Sequence, residues 1–279
     1  ADDAGHPVTM WKVQGETNSI YLLGSIHLLR PEDHPLPDAI DVAYDDADVI
    51  VMELDMDDLD PVYTQTAFNK AGVMTDGTTL RDLMGDDLYA EAEQAAAVID
   101  IPLDMLAQSE PWLAAMTVEL MMLYRNGFNP GLGIEMTMTT RASADGKPIE
   151  GLETVDEQLA FLDGLPIEAQ REMLLQALLE SADLADSIDE LIDAWRHGDT
   201  AVLEAGMLDT VRKQSILTDT LITSRNRRWA TTIATWLDDD RDYLVVVGAL
   251  HLVGDEGVPA LLSDQGIGIH QLSEPAGLR

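Results

Sequence analysis

Leu22-Leu23-Gly24-Ser25-Ile26-His27-Leu28, near the start of the chain, is echoed near its end by Val246-Val247-Gly248-Ala249-Leu250-His251-Leu252. Each copy reads apolar strand, glycine, two residues, histidine, leucine. Gly24 and Gly248 at the mouths of buried strands let the backbone turn sharply, and a residue three further on sits just beyond the strand's carboxyl end. Open α/β sheets place ligands there. Two neighbouring strands ending in this way aim His27 and His251 into one crevice. Imidazole with carboxylate is the usual ligand set for a catalytic divalent ion, so acids at strand ends come next.

Val49-Ile50-Val51-Met52-Glu53 supplies one. Glu53 sits beside the crevice if its strand neighbours that of His27. Glu135 lies in the first turns of a helix opened by Asn129-Pro130, where an acid also suits the helix dipole. Glu153 follows Pro148-Ile149-Glu150-Gly151-Leu152 and reads either as a strand-end acid or as an ordinary helix-start acid. Only 16 cations serve 52 acids, so the cluster Arg225, Arg227, Arg228 is an electrostatic feature. Its Arg225 can steady a developing oxyanion or orient a carboxylate. His6, His34, His197 and His270 lack such a setting and read as surface or structural residues.

The elements that position these groups are short apolar runs and amphipathic segments. Ile20 to Leu23, Val49 to Met52 and Tyr243 to Val247 read as buried strands of a central sheet. Trp11 to Val13 hairpins into the first through Gly15 to Asn18, and Ile267 to Leu272 closes the sheet at the other end; both are expected at edges. Helices are expected over Leu36 to Ala47, Asp86 to Ile99, Ser109 to Asn126 and Pro130 to Ala144, with Ser109 as a cap. One or two more are expected over Ile167 to Trp195, and another over Thr218 to Leu237. Trp112, Met116, Leu120 and Leu123 recur at helical spacing and read as a core stripe. Strands alternating with helices argue α/β or α+β, with helices around a mixed sheet.

The 279 residues carry a formal charge of −36, which disfavours nucleic acid and anionic membrane surfaces as partners. No run approaches the roughly 20 apolar residues of a bilayer span. With no cysteine, thiol catalysis, disulfides and thiolate ligands are excluded. The acidity reads as a solvated surface suited to salty water. No GxSxG elbow, Walker loop, HExxH or strand-to-helix GxGxxG is present, which lowers serine-hydrolase and nucleotide readings. The opening Ala1-Asp2-Asp3-Ala4, with no Met and no apolar run, reads as a chain whose export signal has been removed.

Together the two GxxH elements, Glu53, Gly133-Ile134-Glu135-Met136, Gly151-Leu152-Glu153-Thr154 with Gln158, and Arg225-Asn226 resemble the TraB/GumN family, which includes the Tiki metalloproteases. Met10-Trp11-Lys12-Val13 and Gly24-Ser25-Ile26-His27-Leu28-Leu29 are most similar to its bacterial GumN-type branch. The resemblance implies one domain over 1–279, similar to the erythromycin-esterase and ChaN-like group. It would have two related halves, a flexible start over 1–9 and a largely helical insertion over about 70–220. It implies a metal-dependent peptidase with manganese or cobalt, in a periplasmic or secreted setting. Carried over, His27 and His251 match the motif histidines, Glu53 the first acid, Arg225 and Asn226 the Arg-Asn pair, and Glu135 and Glu153 further acids.

The expected function is therefore hydrolysis of a peptide or protein substrate by metal-activated water, with zinc also chemically tolerable. His27, His251, Glu53, Glu135 and Glu153 are the candidate ligands, and a carboxylate not so used would serve as base. The rivals are an esterase-like hydrolase without metal and a module that binds a peptide or haem-like ligand without turnover.

Overall fold

The structure, a computed structural model, describes residues 5–212 and 215–274. The chain divides into two compact units, one within Ala1–Leu59, Asn129–Thr154 and Glu190–Arg279, the other within Asp60–Phe128 and Val155–Asp189.

The first unit is built on a mixed six-stranded sheet, which makes the fold α/β. Its strands are β1 (Pro7–Gln14), β2 (Ser19–Ser25), β3 (Val49–Leu54), β4 (Ile149–Glu153), β5 (Tyr243–Gly248) and β6 (Ile269–Ser273), in the order β4-β3-β5-β2-β1-β6. The four strands from β4 to β2 run parallel, and β1 and β6 complete the sheet antiparallel. Every residue of β2 and β5 is buried, as expected for parallel strands covered on both faces. Their unbroken apolar runs follow from that burial.

Two expectations about the edges are corrected. β1 is interior, because β6 pairs with β1 and lies on the same side of the sheet rather than closing the far end. Val8, Met10, Trp11 and Val13 are all buried, so β1 carries apolar residues on both faces. The far edge is β4, a strand inside the stretch expected to be a helical insertion. There Gly151 is required: a Cβ would stand 2.6 Å from the Asp55 amide nitrogen. β1 also begins at Pro7, within the stretch read as a flexible start.

Glu53 is likewise placed differently from the sequence reading. β3 neighbours β5, the strand before His251, and not β2. β5 has slipped between β2 and β3, which arranges the carboxyl ends of four parallel strands around one switch point.

The second unit is helical among its described residues, with helices Pro61–Gly72, Leu80–Met84, Asp86–Val98, Pro111–Arg125, Val155–Asp163 and Ile167–Glu180. It comprises two segments because the chain leaves to form β4. Its core joins Leu80, Tyr89, Ala92, Ala115, Val118, Leu174 and Leu178. The expected stripe is out of phase with the buried face. Trp112 is fully buried, but Leu120 is 40% exposed, and the buried positions are Ala114, Ala115 and Val118. Small side chains there let neighbouring helices approach closely. Ser109 does not cap this helix; Pro111 opens it after Glu110, and the Ser109 amide donates to the Leu106 carbonyl.

Thr218 to Leu237, expected as one helix, is helical throughout, with a π turn over Asp219–Thr223 leading directly into helix Ser224–Thr235. Ile167 to Trp195 resolves into two helices, Ile167–Glu180 and Leu184–Arg196. Among the described residues no helix is long and apolar enough to cross a membrane.

Candidate active site

The parallel strands bring the chemistry to one edge. Ser25 and Gly248 pair across β2 and β5, and Leu54 pairs with Glu153 across β3 and β4. His27, Glu53, Glu153 and His251 therefore leave four adjacent strand ends. Neither Gly24 nor Gly248 adopts the left-handed backbone, so these glycines give room rather than a turn. A Cβ on Gly24 would stand 2.7 Å from Thr9 Cγ2. A Cβ on Gly248 would stand 3.4 Å from Glu53 Oε1, 3.6 Å from His251 Cδ2 and 3.8 Å from His27 Nε2. The three side chains converge over the bare Gly248 backbone.

Each histidine is held from behind through Nδ1. His27 Nδ1 lies 2.8 Å from Glu135 Oε1, and the Ser25 hydroxyl donates to that same oxygen. The helix carrying Glu135, Ile134–Asp145, is fixed at its start: the Ile134 amide donates to the Ile26 carbonyl at 3.1 Å. Gly133 packs so tightly on the His27 carbonyl that a Cβ would come within 2.0 Å of its oxygen. His251 Nδ1 lies 2.7 Å from Asn226 Oδ1, while Asn226 Nδ2 donates to the Glu256 carbonyl at 2.8 Å. That second bond orients the amide, so His251 donates from Nδ1 and keeps Nε2 as an acceptor facing Arg225 Nη1.

A cationic network supports the carboxylates. Arg225 donates from Nη2 to Glu53 Oε2 and to Glu153 Oε2, both at 2.7 Å. Its Nε donates to Glu153 Oε1 at 3.0 Å, and its Nη1 donates to the Leu221 carbonyl and stands 3.4 Å from His251 Nε2. Arg228 adds a second cation on Glu153 at 2.9 Å. The Gly248 amide donates to Glu53 Oε1 at 2.9 Å. Trp229 packs under both groups, its ring 4.6 Å from that of His251 and 4.7 Å from the Arg225 guanidinium carbon. One helix delivers Arg225, Asn226, Arg228 and Trp229 at successive and i, i+4 positions.

Surroundings drive the titrations apart. The Glu135 carboxylate pushes His27 up to about 9. Burial pushes His251 down to about 4. Burial would raise Glu53, but the charges of His251, Arg225 and His27 and the Gly248 amide outweigh it and hold the carboxyl at about 2. Glu135 is lowered too, its burial outweighed by His27 and the Ser25 hydroxyl.

The family model for TraB/PrgY/gumN matches residues 9–271. The chain belongs to that family. Relatives named Uncharacterized protein YbaP, from Escherichia coli (strain K12) and Shigella flexneri, are each 23% identical over 242 residues, covering 87% of this chain and 87% of their own. No solved structure gives a significant match.

In this TraB/PrgY/gumN chain the sequence-selected residues His27, Glu53, Glu135, Glu153, Arg225, Asn226 and His251 all fall in the first unit, linked by the contacts above. Sequence reasoning missed Ser25 and Trp229. Ser25 has a signal: it is the one polar side chain between glycine and histidine in the two echoed elements, where Ala249 stands in the other. Trp229 follows Arg225 by four residues, a spacing that stacks side chains on a helix. His34 and His197 are structural, contacting the Leu132 and Asp193 carbonyls respectively.

Proposed function

We propose that the chain is a divalent-metal-dependent hydrolase that cleaves peptide bonds, with His27 Nε2, His251 Nε2 and Glu53 Oε1 as the ion's protein ligands. The observation that carries this reading is the shared posture of the histidines. Each is tied back through Nδ1 to an oxygen acceptor and turns Nε2 toward the same carboxylate. Metal-ligating histidines have this outer partner almost always. The donor set also fits: two imidazoles and a carboxylate, without thiolates, suit manganese, cobalt or zinc.

Among the described residues no three acidic or histidine side chains are spaced to hold an ion as they stand. His251 Nε2 and Glu53 Oε1 are 3.9 Å apart. Two ligands about 2.0 Å from a tetrahedral ion span roughly 3.3 Å, so a shift of about 0.6 Å would bring this pair to ligand spacing.

A bound ion there would lower the pKa of a water and polarise the scissile carbonyl. The chain's residues do the rest. Glu135 and Asn226 hold the two imidazoles through Nδ1; an ion bound at the Nε2 atoms would displace the His27 Nε2 proton and take the place of Arg225 Nη1 at His251 Nε2. Arg225 faces Glu53, Glu153, the Leu221 carbonyl and His251 together, so it serves to hold carboxylates rather than to receive an oxyanion. Glu135 and Glu153 stand behind the ligands as supports. A periplasmic or secreted setting and a salty medium belong to the same reading, supported by the acidic surface and the cysteine-free chain.

A second reading has one specific observation in its favour. The Arg225 guanidinium already neutralises Glu53 and reaches toward His251 Nε2, as a resident cation would. In that reading the site hydrolyses without metal, with His251 as base.

The test is cleavage of a mixed peptide library by chelator-stripped protein in high salt, with and without manganese, cobalt or zinc. Products that need metal support the proposal. Turnover indifferent to chelator supports the second reading, and stoichiometric retention of a ligand without products contradicts both.

A further inference from the structure

The two halves of the site use the same two-step support, and one step rests on a residue with no assigned role. Behind His251, the acceptor Asn226 is itself fixed by the Glu256 carbonyl. Behind His27, the acceptor Glu135 receives the Ser25 hydroxyl on the same oxygen that faces His27. The other Glu135 oxygen, Oε2, is buried without a hydrogen-bond partner. A carboxylate gripped at one oxygen by two donors has its plane and torsion fixed; gripped by one, it can rotate and exchange its two oxygens. Ser25 itself is 2% exposed at the last position of β2, paired with Gly248. Its hydroxyl is therefore placed by the sheet and not by solvent.

The geometry assigns Ser25 the role of positioning residue for His27: it locks the Glu135 carboxylate so that His27 keeps Nδ1 as its donor and Nε2 turned to the crevice. Ser25 does for Glu135 what the Glu256 backbone does for Asn226. It touches neither a ligand atom nor a substrate, and it acts through Glu135. Its effect on metal affinity rests on the metal-dependent reading of the site, whereas its effect on His27 does not.

Three substitutions test this. Ser25→Ala places in the first element the residue that the second carries at Ala249. Ser25→Thr and Ser25→Val are nearly the same shape, with and without the hydroxyl, so their difference separates the hydrogen bond from packing. The first readout is nuclear magnetic resonance of the metal-free protein, following the ring nitrogens and the Nδ1 proton of both histidines. The hydroxyl-free variants should lose or broaden the His27 Nδ1 proton while the His251 signals stay in place, which also reports that the variant is folded. Ser25→Thr should keep both.

The second readout is binding of cobalt or manganese alone by titration calorimetry. The hydroxyl-free variants should bind about 10-fold or more weakly, within the range found for supports of metal ligands. A folded Ser25→Val or Ser25→Ala whose His27 signals match those of the starting protein would overturn the proposal. So would a Ser25→Thr that behaves like Ser25→Val. If the starting protein binds neither ion, the metal reading fails, and the resonance arm still decides the role of Ser25.

Discussion

His27 and His251 follow the same sequence device and reach the same crevice, yet their surroundings are opposites. The His27 side chain is 62% exposed and backed by a carboxylate, whereas that of His251 is 6% exposed and backed by a neutral amide and an indole. One is pushed up to about 9 by its anion, the other down to about 4 by burial. The strand and glycine decide where a histidine arrives; the residues from elsewhere in the chain decide what it can do there. Such divergence within a pair of titratable groups is how sites divide proton-holding from proton-accepting work.

The sharpest way to break the comparison is through Arg225, which belongs to the His251 side. Arg225→Ala removes the cation shared by Glu53 and Glu153 and should destabilise the fold by about 3–5 kcal/mol, read by chemical denaturation. Arg225→Lys should recover only part of this, because an ammonium cannot repeat the fork on Glu153. Recovery in full would mean that point charge alone matters.

His251→Ala should cost about 1–3 kcal/mol, the penalty for leaving the buried Asn226 oxygen without its donor. Thermal melting and denaturant curves measure it.

In the metal-free protein the two histidines should also bend stability in opposite directions with pH. The folded value of His27 lies above its ordinary 6.5, so its stabilisation is full below 6.5 and is lost as pH rises through about 9. The folded value of His251 lies below 6.5, so the fold loses stability as pH falls from 6.5 toward about 4. His27→Gln should flatten the alkaline side alone. A flattening of both sides would show that the pair titrates as one unit.

Glu135→Ala should bring the His27 titration back toward its ordinary range, about 6.5, and leave that of His251 in place. Resonance titration of the imidazoles reads both together. Arg227→Ala marks the small end. Its ion pair with Glu256 is more than half exposed on the Arg227 side, so removal should change stability by about 0–1 kcal/mol and neither histidine.

Much of this arrangement was legible in the sequence because deeply buried parallel strands leave unbroken apolar runs, and Tyr243 to Val247 and Ile20 to Leu23 are such runs. The histidines and Glu53 were legible because they sit at fixed offsets from those runs and Arg225 because it opens a rare cationic cluster, whereas Asn226 was legible only through the family resemblance. Pairing order was not. β5 lies between β2 and β3 through contacts far apart in sequence, and no local pattern records that Glu53 would stand beside Gly248. The buried face of Pro111–Arg125 differs from the expected stripe because the small Ala114 and Ala115 weigh little in a hydropathy pattern yet are fully buried, while the larger Leu120 stays partly outside. Ser25 escaped notice for a similar reason: a hydroxyl has no spacing rule, and its meaning appears only once Glu135 is placed beside it.

In the proposed metal-dependent reading, one crevice gathers His27, His251 and Glu53 as ligands of a single divalent ion. Anomalous diffraction from crystals soaked in manganese or cobalt tests it most directly. One strong peak is expected about 2.0–2.3 Å from both Nε2 atoms and from Glu53, with Glu135 and Asn226 still on the Nδ1 side. A crevice without a peak after soaking, with Arg225 still seated on Glu53, would contradict it.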